Sequence, residues 1–316
     1  MTDRFPLLRL PFLAIRGVVN HMNPHEIMAL AQTQPSKTKN IIKFCSMLSK
    51  NDIVLSIGKG FIVLILSHLG YYMFRFTSNP EEDGVTKDIK DDDGIIFHEI
   101  AIHAIDLFGK CREFFEFAKE CMNARFSGLR LDINENLDKH TEIINWVNSY
   151  SPDNKRFRVS LNGTNVAPKD ANYYLEHFKM NVLDVEFDTE NNSPIQVPKE
   201  LQSLQLDKAS WVTLDHLMNF DAAEIQIQEH KLTLQELNTF LRKVQNQECC
   251  RNLKRFGIQT STQQNFDIIL RGIEGEQYLH LGVYAFITIR ADGKRAVFYR
   301  KKFLEKLFFE MEVLDE

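Results

Sequence analysis

The spacing of apolar residues changes several times along the chain, and each change predicts a different kind of element. Leu10, Leu13, Ile15, Val18, Val19 and Met22 recur at helical spacing behind Pro11, a position where a first helical turn loses no hydrogen bond. Asn23-Pro24 ends that helix and caps a second one, which runs through Glu26, Ile27 and Leu30 toward Pro35. Two short helices joined by almost no loop cannot bury so many apolar side chains between themselves, and the surplus marks a partner surface. From Asp52 to Phe76, runs rich in Ile, Val and Phe alternate with turn residues at Gly58-Lys59-Gly60 and Ser67 to Gly70, which predicts two or three antiparallel strands. A solvated acidic loop is expected over 79–93, where Glu81, Glu82 and Asp83 precede Asp91-Asp92-Asp93. Phe97 to Ala124 reads as one buried helix carrying Ile100, Ile105, Leu107, Phe108, Phe114, Phe115 and Phe117.

Beyond this helix the chain is quasi-repetitive. Strand-like segments at Phe126 to Ile133, Phe157 to Leu161, Val182 to Phe187, Leu201 to Leu206, Ala222 to Ile227 and Leu253 to Ile258 align on Leu131, Leu161, Phe187, Leu206, Ile227 and Ile258. Helix-like segments lie between most of them, at Thr141 to Tyr150, Pro168 to Phe178, Thr213 to Phe220 and Thr233 to Gln245. In the last, Thr233 and Glu236 form a capping box, and Leu234, Leu237, Leu241 and Val244 lie along one face. Such units predict an irregular leucine-rich-repeat-like solenoid with parallel strands on one side. An α/β domain without translational order would give the same alternation. Asp292-Gly293 between Tyr284 to Arg290 and Arg295 to Tyr299 predicts a hairpin, and Phe309, Met311 and Val313 a closing strand. The fold class expected is thus α+β/α/β, organised as a helical segment 1–44, a connecting region 45–125 and a strand-helix domain 126–316 that ends in a β-hairpin.

Composition narrows the function. The 316 residues are 44% hydrophobic and carry a formal charge of −5, so no whole-chain positive field draws the protein to nucleic acid or to an anionic membrane. Phe61 to Phe76 is too short for a bilayer and is broken by Ser67, His68, Gly70 and Arg75, so no membrane span is expected. Five cysteines without a CxxC pair, behind an N-terminus lacking a secretory pattern, point to a reducing intracellular compartment, cytoplasmic or nuclear. In that setting the glycosylation-like triplet Asn162-Gly163-Thr164 carries no meaning.

No motif supplies catalytic chemistry. His98 and His103 are five apart and, on a helix, would point some 140° from one another, so they cannot share a metal. Ser56 to Gly60 lacks the phosphate-loop frame, and no serine sits in a nucleophile elbow. Cys249 and Cys250, being adjacent, suit a disulfide poorly and are expected to be a thiol pair without function. Arg290, Lys294, Arg295, Arg300, Lys301, Lys302 and Lys306, interleaved with Phe298, Tyr299 and Phe303, fit a lysine-guarded sheet edge better than a nucleic-acid surface. No enzyme, metal or cofactor is expected.

One resemblance is specific. Phe5 to Pro11, Ala14-Ile15, Val18-Val19, Met22-Asn23-Pro24, Glu26-Ile27, Leu30 and Ser36 to Lys39 together resemble an F-box of the type expanded in nematodes. The Thr213 to Phe220 and Thr233 to Val244 units, Asn265 to Ile273, and Ile289-Arg290 with Asp292 to Ala296 are similar to a type 2 F-box-associated domain. The resemblance implies a substrate-recognition adaptor of a Skp-cullin-F-box ubiquitin ligase, which acts by raising the local concentration of acceptor lysines rather than by bond chemistry. Its F-box would bind a Skp-family linker, and through it a cullin, while the C-terminal domain binds a protein target. The linker-binding face expected is Leu10, Pro11, Ile15, Val19, Met22, Pro24 and Ile27. The alternative is that these residues form the segment's own core, which Ile15 and Val19 suit equally. The alternative function is a ligase-independent binding scaffold with a degenerate F-box, since Gly17 and Pro35 both disfavour helix. For the target, strand alternation turns Arg130, Ser160, Gln205 and Gln226 outward, opposite inward Leu129, Leu131, Val159, Leu161, Leu204, Leu206, Ile225 and Ile227. That row would be polar and nearly uncharged, a binding surface or plain solvated surface.

Overall fold

In a computed structural model, residues 10–33, 35–45, 51–91, 93–135, 138–150, 157–260, 265–280, 283–303 and 306–314 are described. Phe5 to Arg9 of the F-box-like segment and Asp92 of the acidic run lie outside them. The chain is mixed α/β and divides into two compact units, Met1–Leu131 and Asp132–Glu316. The expected 1–44 helical segment and the connecting region 45–125 both fall within the first.

The first unit opens with three helices, α1 (Phe12–His21), α2 (Pro24–Thr33) and α3 (Pro35–Cys45). Asn23 and Glu26 cap α2 reciprocally: the Asn23 amide donates to the Glu26 carboxylate at 2.8 Å, and the Glu26 amide donates to the Asn23 side-chain oxygen at 3.0 Å. Pro35 opens α3, where its missing N–H costs nothing, and Gly17 sits within an unbroken α1. The hydroxyl of buried Thr38 on α3 donates to the Ala31 carbonyl at 3.0 Å, fixing α3 against α2. Strands β1 (Asp52–Ile57), β2 (Phe61–Ser67) and β3 (Gly70–Thr77) follow as the expected antiparallel set.

Two expectations fail in the next stretch. The acidic loop contains a strand, β4 (Thr86–Lys90), and the predicted helix over Phe97 to Ala124 is a strand, β5 (Ile96–His103), followed by helix α4 (Leu107–Met122). Ile96, Ile100 and Ile102 are β-branched and alternate, which favours a strand. Asp106 then starts the helix by accepting the Gly109 amide at 3.0 Å. Ile105, assigned to the core, is 96% exposed in the link between them. On a strand, His98 and His103 fall on opposite faces, as their odd spacing dictates.

The chain then enters β6 (Arg125–Asp132), and the first unit's strands lie in the order β6-β1-β2-β3-β5-β4, with β1/β6 and β3/β5 parallel. Ile53, Leu55, Val63, Ile65, Phe74 and Phe76 are buried on the face that α4 covers. There Phe74 meets Phe114 at 4.6 Å and Phe61 meets Phe108 at 5.7 Å between ring centroids.

The second unit contains α5 (His140–Asn148), β7 (Arg158–Val166), α6 (Pro168–His177), β8 (Val182–Thr189), β9 (Leu201–Leu206), α7 (Leu214–Asn219), β10 (Ala222–Ile227), α8 (Leu234–Gln245) and β11 (Arg255–Thr260). After these come α9 (Asn265–Ile269), β12 (Glu276–His280), β13 (Val283–Ile289), β14 (Arg295–Phe303) and β15 (Lys306–Val313). Strands β7 to β11 are parallel and adjacent in chain order, as the repeat reading requires. Their register aligns Leu161, Val185, Leu206, Ile227 and Ile258. Phe187, chosen from the sequence for this row, instead pairs with Gly163, two residues along on the same face. The closing strand β15 pairs antiparallel with β11 on one side and β14 on the other, and β13 and β12 complete the order. Gly293, at φ +83°, makes the tight turn of the predicted hairpin. In α8, the Thr233 amide donates to Glu236 at 2.8 Å and the Glu236 amide to the Thr233 hydroxyl at 3.2 Å, so the expected capping box is present.

One half-buried group makes the first unit's stability depend on pH. His25 on α2 packs edge-on against Phe74 at 4.8 Å and Tyr72 at 5.2 Å, and burial lowers its pKa below 6.5 despite a backbone hydrogen bond to Met73 and the nearby Glu26 charge. His98 adds to the lowering. The unfolded chain takes up this proton more readily, so stability that is full above pH 6.5 falls as the pH drops through that value. Thermal melts at pH 7.5 and 5.5 should show His25→Phe gaining on the wild type at the lower pH. An unchanged gap would mean that the imidazole is not held neutral by the fold.

Candidate functional site

Alternation along the parallel strands of the second unit builds one dry face and one open face. Val159, Leu161, Leu183, Val185, Leu204, Leu206, Ile225, Ile227, Phe256 and Ile258 are all buried, and the ring of Phe240 on α8 packs at a tilt against Phe256 at 5.0 Å, which places α8 on that side. The residues between them point to the other side and form two cross-strand rows. One runs Ser160, Asp184, Gln205, Gln226, Gly257, Glu310 and Tyr299 through the observed register. The parallel row, two residues away, runs Ser203, Glu224, Arg255 and Glu312.

A groove of about 430 Å³ lies along these rows. Gly257 lines it: a Cβ there would overlap the side-chain amide of Gln226, so the absent side chain leaves room for that amide. Arg255 donates to one carboxylate oxygen of Glu312 from Nε at 3.2 Å and from Nη2 at 3.0 Å. Lys301 stands 3.5 Å from Glu310. Tyr299 lies opposite Glu310 in the register, and burial first and that carboxylate second push its phenol pKa up to about 12. Glu224 makes no ion pair or hydrogen bond to a described residue, and its field acts on Arg255. At one end of the face, Gln205 and Gln228 both donate to Asp207, at 3.0 Å and 2.7 Å.

The sequence-derived target row is thus corrected in two respects. Ser160 is buried rather than presented: its hydroxyl donates to Asp184 at 2.9 Å, and Arg158 donates to the same oxygen at 3.0 Å. The row is also not uncharged, because Asp184 and Glu310 belong to it and Glu224, Arg255 and Glu312 flank it. Gln205 and Gln226 do line the groove. Arg130 lies in the first unit, exposed on β6 opposite Ser56. The sequence-derived row did not include Asp184, which lies between Leu183 and Val185, or the antiparallel contribution of β15.

The basic C-terminal segment does not form a guarded edge. β14 is interior to the strand order, between β13 and β15. Its cations are dispersed: Arg290 is buried and donates to the Leu253 carbonyl at 2.9 Å, Arg300 lies 5.0 Å over the Phe266 ring, and Lys301 faces Glu310. Among the described residues, no group of three or more His, Cys, Asp or Glu side chains is placed to hold a metal, and no helix is long and apolar enough to cross a membrane.

In the first unit, most of the expected linker-binding residues are turned inward. Ile15 and Val19 form a buried cluster with Cys45, with Leu10 and Met22 packed against it, and Pro24 and Ile27 are buried on α2. Only Pro11 of that set is exposed. The apolar surface left outside belongs to Leu13, 77% exposed, and Phe44, 61% exposed, with Phe12 meeting Phe44 edge-on at 5.1 Å.

Residues 194–258, which span β9, β10 and β11 up to Ile258 and include Gln205, Gln226 and Gly257 of the groove, match the family described as F-box associated. No curated protein and no solved structure matches the chain.

Asp184 provides a test of how the open face is held together. Burial raises its pKa above 3.8, against the opposing effects of Arg158 and Ser160. A carboxyl raised in the folded state weighs against folding once the pH passes the unfolded value, and the cost is absent below it. Asp184→Asn should therefore raise the melting temperature, relative to the wild type, more at pH 7 than at pH 4. Equal differences at the two pH values would show that the ion pair fully offsets the burial.

Proposed function

We propose that this protein is the substrate-recognition subunit of a Skp-cullin-F-box ubiquitin ligase. The carrying observation is the match of residues 194–258 to the F-box-associated family, in a chain that begins with a triplet of short helices exposing apolar side chains. In this reading the helices dock a Skp-family linker that brings the cullin, and the groove on the open face of the second unit holds the target protein, with the strand-helix units acting as a leucine-rich-repeat-like receptor. No step of bond chemistry falls to this chain, which positions acceptor lysines for a partner enzyme. The site of action is the cell interior.

The linker contact shifts from the sequence-derived set to Pro11, Phe12, Leu13 and Phe44, because Ile15, Val19, Pro24 and Ile27 are occupied within the unit. Central anchors of an interface typically contribute about 2 kcal/mol or more each, about 30-fold in affinity. Phe12→Ala with Leu13→Ala should abolish micromolar binding of the full-length chain to a purified Skp-family linker and leave the melting temperature nearly unchanged. Ile15→Ala should instead destabilise the chain by about 2 to 4 kcal/mol. A wild-type chain that fails to bind the linker at high concentration would favour the ligase-independent scaffold.

For the target face, Glu224→Lys with Gln226→Lys turns a lining in which Arg158, Arg255 and Lys301 balance Glu224, Glu310 and Glu312 into a net positive one, without disturbing a described hydrogen bond. Proximity labelling should then recover a different set of partners while linker affinity holds. The same partners from both proteins would exclude the groove as the receptor surface.

A further inference from the structure

The turn that leaves α8 carries the adjacent pair Cys249 and Cys250, both half-buried and reachable by a small molecule. Cys250 is held at φ +46°, a left-handed conformation that a non-glycine residue adopts at a cost. Its sulfur lies 3.4 Å from the Phe220 carbonyl, 3.5 Å from that of Leu217 and 3.8 Å from that of Met218, the carbonyls that end α7. Cys249, also half-buried, is the adjacent residue. A single hydrogen therefore has several places to go, and a negative charge on Cys249 would draw it there, since a hydrogen bond to an ionised acceptor is the stronger one.

We propose that Cys249-Cys250 is a peroxide-sensitive vicinal dithiol, in which Cys249 is the sulfur attacked and Cys250 the one that resolves it. The hydrogen bond from Cys250 and the Lys243 ammonium lower the Cys249 pKa against burial and the Glu248 charge, while the Cys250 thiol is raised. The other three cysteines are buried, and burial pushes Cys111 up to about 12 and Cys121 up to about 11.

In the first step the Cys249 thiolate attacks one oxygen of a hydroperoxide. An S–O bond forms, the O–O bond breaks, and the other oxygen leaves as an alkoxide, or hydroxide from hydrogen peroxide, and takes a proton from water. In the second step Cys250 gives up its proton and its sulfur attacks the sulfenic sulfur. The S–S bond forms, the S–OH bond breaks, and hydroxide leaves with that proton as water. Two thiols have been oxidised by two electrons and one peroxide reduced.

Adjacent Cα atoms are about 3.8 Å apart, shorter than disulfides usually span, so the bond is strained and easily reduced again. Oxidation also removes the thiol hydrogen that faces the end of α7. The site thus reverses the expectation of a thiol pair without function, and it depends on neither the linker nor the target assignment.

The test treats the full-length chain with one to two equivalents of hydrogen peroxide and reads intact mass, peptide mapping and trapping by dimedone. The wild type should lose two hydrogens, map the bond to Cys249-Cys250, take up no dimedone, and recover with dithiothreitol. Cys250→Ser should stop at the sulfenic acid and carry one dimedone on Cys249, and Cys249→Ser should resist oxidation. Oxidation falling on Cys45, Cys111 or Cys121 first, a wild type that keeps dimedone on Cys249, or an unreactive wild-type pair would each overturn the proposal. The wild-type arm alone decides the matter if a variant fails to fold.

Discussion

Parallel strands joined in chain order need a crossover between each pair, and in the second unit the resulting burial falls on one face of the sheet. Everything else in that unit follows from this asymmetry. The covered face must be continuous Leu, Ile, Val and Phe, and the other face is filled by whatever residues stand between them. Several of its polar and charged side chains satisfy one another across strands, as Asp184 does with Ser160 and Arg158, and Asp207 with Gln228. Along the groove the absent side chain of Gly257 is filled by the amide of Gln226 from the next strand.

Elements with a local cause were legible in the sequence. Thr233 and Glu236 announce α8 because both partners of the cap lie within one turn, and Asp292-Gly293 announces its hairpin because the turn needs a positive φ at the glycine. The boundary between β5 and α4 was lost because aromatic and aliphatic residues are dense on both sides of it. Density hides the difference between a period of two and one of three to four, and the Asp106 cap was the available signal. Ser160 was misplaced for a different reason. Its backbone position is outward as alternation demands, yet a hydroxyl beside a buried carboxylate is drawn into that carboxylate's hydrogen bonds, and the carboxylate lies on a neighbouring strand that sequence reading aligned one pair away.

The N-terminal helices show the same limit on a smaller scale. Apolar residues surround α1, so periodicity alone could not tell which stripe faces α3 and which faces outward. Ile15 and Val19, four residues apart, take the inner stripe, and Phe12 and Leu13 keep the outer one. The helical segment was readable, and its orientation was not.

The position of β15 bears on how the second unit is made in the cell. The five parallel strands leave the ribosome in the order in which they pair, so each can settle against the one before it. The strand that joins them to β14 is synthesised after all of them, and until Val313 has emerged both β11 and β14 keep an open edge. A pause or an early stop before Lys306 would leave two sheets with unpaired backbone instead of one, a form suited to capture by chaperones or by another nascent chain.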